Sequence, residues 1–269
     1  MRQPIAIGFY PKEKKHLEND VKNLLVPKKE IKKPLGLIAP HAGYVYSGSV
    51  AGTTYASART DKKNFILLGP NHTGRGSPIS LSKEDWKTPL GDVKINQPLA
   101  ERFSKIAQVD ESAHKQEHSL EVQLPFMQAM YQDFTFLPLC LMHLEFHELE
   151  KLAFKLLDEN SFYIASSDFI HFGPMYGYEP VSSGIKTNLG WVKSVDMRMI
   201  DLVCKLKAKE FYDEVAENEY SICGYIPITL ITLVMKRLGA RGGTLIDYKT
   251  SYEVREDPSF VSYAGIVFE

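Results

Sequence analysis

Four apolar runs, each too short to stand as a helix and each stopping at loop residues, alternate with segments of helical periodicity, and this alternation restricts the fold most. They are Leu35–Ala39, Phe65–Leu68, Phe134–Leu141 and Phe162–Ser166. Helical patterns follow or intervene at Gly48–Ala58, Pro98–Ala107, Glu117–Tyr131 and Glu145–Glu159. Strand-helix-strand succession of this kind predicts an α/β fold with a central mixed sheet flanked by helices. Ser77–Asn96 is broken by Pro and Gly and predicts a hairpin excursion. Beyond the long loop Asp168–Gly184, helices are expected over Asn188–Leu206, Ala208–Ala216 and Ile226–Leu238. Gly242–Tyr248 and Ser262–Phe268 close the sheet. A loop as long as Asp168–Gly184 is often functional.

At 269 residues, with no linker, repeat or low-complexity tract, residues 1–269 are expected to form one domain. An apolar fraction of 44% is enough for a sizeable core. The 32 basic and 33 acidic side chains leave a net charge of −1, so no global field draws in a nucleic-acid backbone or an anionic membrane. The basic runs Pro11–Lys15 and Val26–Lys33 read as solvated loop. Met1–Tyr10 lacks the apolar run of a signal peptide, and a cytoplasmic location is expected. Cys140, Cys204 and Cys223 form no CxxC pair, so reduced thiols are expected, with Cys140 and Cys204 in apolar settings.

The chemistry concentrates where the apolar runs end. His41 follows the first run and His72 the second, while Asp168 and His171 follow the fourth. In open α/β sheets the carboxyl ends of strands form the ligand crevice, so if the first two strands are neighbours both imidazoles converge on one point. Imidazole and carboxylate are usual metal ligands, and a histidine that is not a ligand can serve as acid or base. In the segment from His114 to Phe126, His114/His118 and Glu117/Glu121 are each spaced four apart. On a helix that spacing puts each pair on one face, which suits a metal site and equally suits a solvent-facing surface. His16, His143 and His147 read as surface residues. Cys223 precedes the last long helix, where the macrodipole favours a thiolate; the residues alone leave it between a core thiol and a functional one.

The blocks Pro40-His41-Ala42-Gly43-Tyr44, Leu68 to His72, Glu117 to Phe126, Ser166 to Gly173 and Cys223-Gly224 stand in one order across most of the chain. Together they resemble the Memo family, which shares the fold of the extradiol ring-cleaving dioxygenases that use non-haem iron. The resemblance implies His41, His72 and Cys223 as the metal-facing trio, Cys223 standing where the dioxygenases present a Glu. It further implies His171 as the acid/base histidine, with Asp168 and His118 lining the same pocket. Thiolate is softer than carboxylate and shifts preference toward zinc, copper(I) or a differently tuned iron. Ring cleavage does not transfer with the fold.

Three functions follow as expectations. The first is a metal-dependent redox enzyme, with iron foremost and copper or zinc as alternatives, acting on a small molecule while His171 moves protons. The second is a binding module for a phosphotyrosine or other anionic peptide; Arg75, beside His72, is the arginine that the sequence places near the histidines. The third is a hydrolase with Cys223 as nucleophile and His171 and Asp168 as partners.

Overall fold

In the computed structural model, which describes residues 1–181 and 183–269, the alternation seen in the sequence becomes one mixed sheet. Its strands are β1 (Gly36–Ala39), β2 (Asn64–Pro70), β3 (Ile79–Leu81), β4 (Trp86–Thr88), β5 (Gly91–Ile95), β6 (Gln108–Val109), β7 (Thr135–Leu141), β8 (Ser161–Ser166), β9 (His171–Phe172), β10 (Gly243–Thr250) and β11 (Phe260–Phe268). The main path runs β10-β11-β1-β8-β2-β7-β3-β6. β1, β8, β2 and β7 are mutually parallel, whereas β11 pairs antiparallel with both β1 and β10, and β3 antiparallel with β7. The parallel centre consists of the four apolar runs. All residues of β1 and β8 are buried, as strands covered on both faces require.

The helices are α1 (Lys14–Leu24), α2 (Tyr44–Ser57), α3 (Gln97–Phe103), α4 (Glu111–His114), α5 (Leu124–Met130), α6 (Phe146–Lys155), α7 (Ile185–Cys204), α8 (Ala208–Glu217) and α9 (Tyr225–Arg237). α2 packs on β1, β10 and β11, and α9 on β1, β2 and β8. Among the described residues no helix is long and apolar enough to cross a membrane. Ser182, within the expected loop Asp168–Gly184, lies outside the described residues.

Three expectations are corrected. Lys14 and Lys15 open α1 and are not loop; Glu13 caps that helix by accepting from the amides of Lys15 and His16. β1 and β2 are not neighbours, because β8 lies between them. The expected helix from Glu117 to Tyr131 is helical only from Glu121, as a 3-10 turn running into α5. Pro125 accounts for this in part: it is tolerated in the first turn of α5 but would break a helix already under way.

That third correction separates the two histidines spaced four apart. His114 ends α4, fully buried with its ring edge against Trp86, and neither ring nitrogen has a hydrogen-bond partner among the described residues. Burial, and then the nearby Arg2 charge, lower its pKa to about 4. Below the unfolded value of about 6.5 the unfolded chain takes up a proton that the folded chain refuses, so stability is lost as pH falls from about 6.5 toward the folded value. Substituting His114→Phe, which fills the same space without titrating, is expected to leave stability at neutral pH unchanged or raised. It should also make the acid-side loss shallower, as urea unfolding at stepped pH would measure. An acid limb as steep as that of the unsubstituted chain would refute this.

Candidate metal centre

The carboxyl ends of β1, β8 and β2 lie on one edge of the sheet, and the residues just beyond them converge. The His41 and His72 ring centroids are 5.2 Å apart, His41 and His118 5.5 Å, and His72 and His118 4.9 Å. One donor atom from each of these three histidines lies within 4.8 Å of the others, and the same holds for His41, Asp168 and Cys223. His41 therefore belongs to both groups. The expected trio of His41, His72 and Cys223 is not itself such a set: Cys223 Sγ is 3.4 Å from His41 Nε2 but is grouped with Asp168 and not with His72.

The intervening strand β8 fixes His41. Ser166 Oγ donates to the Ser119 carbonyl at 2.7 Å and accepts from Gln123 Nε2 at 2.8 Å. Its single hydrogen is thus used, so His41 Nδ1, 2.9 Å away, must be the donor to it. The lone pair is left on Nε2. Gln123 is fully buried and also donates to the Pro40 carbonyl, while its oxygen accepts from Tyr55. The loop at His41 is further held by Asp168, which accepts from the amides of His41 at 2.8 Å and Ala42 at 3.2 Å.

His72 is set the same way by Glu117, which is fully buried. Glu117 accepts from His72 Nδ1 at 2.9 Å, from the His72 amide at 2.6 Å and from the Ser119 amide at 2.9 Å. It also lies 3.5 Å from His118 Nδ1. A carboxylate can only accept, so the proton of His72 sits on Nδ1 and Nε2 is the free nitrogen. This is the carboxylate–histidine arrangement that usually backs a metal ligand. Burial opposes charge at Glu117 and is the largest single influence, but the hydrogen bond and charge of His72, the Ser119 amide and His118 together outweigh it and hold the carboxyl at about 2. His72 is raised in turn: burial opposes its charge, but Glu117 prevails. Burial, reinforced by His72, lowers His41 and His118, which favours the neutral, ligand-competent imidazole.

The expected helix-terminus activation of Cys223 is outweighed. The thiol does stand just before α9, whose N-cap is Gly224, but burial and then the Asp168 carboxylate push it far up. Without a cation beside it, it is a thiol. Gly224 is required here: a Cβ would lie 2.4 Å from that of Ser167, whose Oγ accepts from the Gly224 amide at 3.0 Å. Asp168 is raised by burial, against the pull of His171 and its two amide donors.

His171 is in β9, and its Nδ1 faces two carbonyl oxygens, of Phe169 at 3.0 Å and Ser221 at 3.1 Å. Nδ1 therefore carries hydrogen and Nε2 can take or give a proton. His41, His72, His118, Asp168 and His171 line one cavity of about 470 Å³, walled by Phe9, Tyr46, Tyr176 and Tyr263; Cys223, at His41 Nε2, is not itself on that wall. Phe9 stacks on His118 at 4.2 Å. His16 and His147 are exposed; His143 is exposed and bonded to Tyr225. Glu121 faces away, buried against Arg2.

Sequence reasoning offered Glu117 only as half of a pair with Glu121, and gave no role to Ser166, Gln123 or Phe9. The first three stand inside the quoted blocks, where a buried-type polar residue among apolar neighbours was the available signal; Phe9 carried none. The donor set, neutral imidazoles backed by acceptors plus a carboxylate and a thiol, matches what iron, zinc and copper take from proteins.

Comparison with known proteins identifies the family. The profile of the family described as Memo-like protein matches residues 2–267. A MEMO1 family protein of Methanosarcina mazei is 38% identical over 283 residues, covering 100% of this chain and 99% of the relative. One from Pyrococcus abyssi is 40% identical over 247 residues, 86% of this chain and 85% of the relative, and one from Archaeoglobus fulgidus is 35% identical over 276 residues, 100% and 99% respectively. A solved structure of an uncharacterized Escherichia coli K12 protein is similar over 78% of this chain and 87% of that chain, at 14% identity and a TM-score of 0.45, too distant to transfer anything. Matched from residue 2 to residue 267 and by relatives of its own length, the chain belongs to the Memo-like protein family.

Proposed function

We propose that this chain is a metal-dependent redox enzyme acting on a small molecule in the histidine-lined cavity. His41, His72 and Cys223 are the proposed ligands, with His118 alongside, and iron is the proposed metal, with copper or zinc as alternatives. The observation that carries the reading is the pair of acceptor contacts, Ser166 to His41 and Glu117 to His72, that leave both Nε2 atoms as acceptors, that of His41 facing the Cys223 thiol. A buried structural histidine would also satisfy its Nδ1, but it would not bring a donor atom within 4.8 Å of those of two other histidines, as His41, His72 and His118 do. When bound, iron or copper would supply Lewis acidity and electron exchange, and zinc Lewis acidity alone.

The remaining work falls to the chain's own groups. His171, with Nδ1 clamped by two carbonyls, offers Nε2 as a general acid or base facing the cavity. Asp168 orients the His41 loop through two amides. Phe9, Tyr46 and Tyr176 narrow the space and keep bulk water from a bound substrate. A cation against Cys223 would offset the burial that now keeps it protonated. A Cys223 hydrolase is less well supported, because it needs a thiolate where burial and Asp168 favour the thiol.

The test is metal-resolved mass spectrometry on protein purified anaerobically with its thiols reduced, followed by oxygen consumption with added reductant. About one tightly held transition-metal ion per chain is expected, removable by chelator and required for turnover. Chain that holds no metal after reconstitution with ferrous, cuprous and zinc ions would sink the proposal.

A further inference from the structure

The cavity carries one feature that the metal reading leaves unused: Arg255. We infer that the substrate is a small monoanionic carboxylate with an apolar or aromatic body, its carboxylate held by Arg255 at the rim and its body lying between the aromatic walls. The inference rests on the cavity being the substrate site.

Arg255 is the one lysine or arginine among the described residues lining the cavity. Among the described residues its guanidinium has no hydrogen-bond or ion-pair partner, and Arg255 is exposed. The arginines paired with a carboxylate within 4.0 Å among the described residues are Arg2, Arg102, Arg198 and Arg241. An unpaired, forked donor facing a concave wall is suited to a planar two-oxygen anion.

The segment that delivers it is built to hold position. The Thr250 amide donates to Glu253 Oε1 at 2.8 Å, the Arg255 amide to the Ser251 carbonyl at 3.0 Å, and the Val261 amide to Ser251 Oγ at 3.0 Å. Asp257 Oδ1 takes the Ser259 amide at 2.9 Å, and Ser259 Oγ takes the Met175 amide at 3.1 Å, tying this rim to the opposite one. The two rims meet so closely that Gly173, at φ +113°, is needed where they touch: a Cβ there would stand 2.5 Å from Ser259 Cα. Irregular segments order themselves against an entropic cost, and here the order holds the backbone from which the exposed Arg255 side chain reaches the cavity rim.

The rest of the wall narrows the class. Phe9, Tyr46, Tyr176, Val261 and Tyr263 offer apolar and aromatic surface, and about 470 Å³ suits a molecule of one ring or comparable bulk. Two carboxylates, Asp168 and Asp257, share the wall with the single guanidinium. Without a metal ion, a phosphate dianion would meet more repulsion than one arginine offsets, so at the Arg255 rim a monoanion is favoured.

The test is calorimetric titration of the full chain, metal-loaded and chelator-treated, with phenylacetate, the neutral phenylacetamide and phenyl phosphate. In both forms phenylacetate should bind about tenfold or more tightly than the amide. Arg255→Ala should abolish that preference, and Asp257→Asn should strengthen it by removing a competing charge. Equal binding of acid and amide, no binding of either, a preference surviving Arg255→Ala, or tighter binding of phenyl phosphate by the chelator-treated chain would each overturn the inference. The chelator-treated arm separates the two readings. A carboxylate preference there stands even if no metal is found, and a metal-loaded chain without the preference refutes only this step.

Discussion

Replacing Glu121 by alanine is expected to cost about 3–5 kcal/mol of folding free energy, the usual result of stranding one member of a buried ion pair. Glu121 is fully buried and anchors the N-terminal segment. It pairs with Arg2, accepts from the amides of Ile5 at 3.0 Å and Ala6 at 2.9 Å, and accepts from the Tyr10 hydroxyl. Arg2 is itself nearly buried. It lies over Trp86 at 4.0 Å and donates to the carbonyls of His114 and Glu117, both at 2.7 Å. Without the carboxylate, a guanidinium, two amides and a hydroxyl lose their partner together. At roughly 2–4 °C per kcal/mol the fall is readily seen in thermal denaturation. The same segment carries Phe9 onto His118, so the cavity wall should loosen as well. The double substitution Arg2→Met with Glu121→Gln removes both charges and keeps an acceptor for the amides, and should recover much of the loss. A Glu121→Ala chain within about 0.5 kcal/mol of the parent would show that the network is not holding the segment.

Glu121 also shows where reading the sequence stops. The four parallel strands were legible because buried parallel strands are continuous apolar runs, and the histidines at their ends were legible because such ends form the crevice. Strand order was not, since β8 between β1 and β2 is set by packing over long sequence distances. Hence the convergence of His41 and His72 does not need the condition placed on it, that their strands be neighbours: they meet across β8, whose Ser166, with Asp168 just beyond its end, holds one of them. Spacing also misled around His118. Counting four residues assumes a helix, and residues 115–120 are not helical, so Glu117 turns to His72 and Glu121 to Arg2. The local pattern held no cue for this, because the partners are 45 and 119 residues away. Arg255 was equally hidden, in a C-terminal turn remote in sequence from every histidine of the site. The Memo resemblance supplied Cys223 as a ligand, and the structure supplies the qualification that it meets His41 and Asp168 more closely than His72.

Substituting Glu117→Gln is the sharpest probe of the site, and a fall in metal affinity of about 10–100-fold is expected, the usual effect of removing the group behind a ligating histidine. The shape is kept and the chemistry is not. Glu117 takes hydrogen from His72 Nδ1, the His72 amide and the Ser119 amide, whereas a glutamine must turn its amide nitrogen toward at least one of these donors. His72 Nδ1 then faces either no acceptor or a weaker, uncharged one. The pH dependence distinguishes this from mere loss of packing. Because Glu117 raises the pKa of His72, protons compete with metal at that nitrogen as pH falls through the raised value. Without the carboxylate the competition should begin at lower pH, even as affinity in alkaline solution declines. Removing a ligand outright with His41→Ala gives the reference, in which binding is lost at every pH. Competition with a chromophoric chelator across pH measures all three proteins. An affinity and pH profile unchanged by Glu117→Gln would mean that His72 is held by packing alone and that Glu117 serves only the fold.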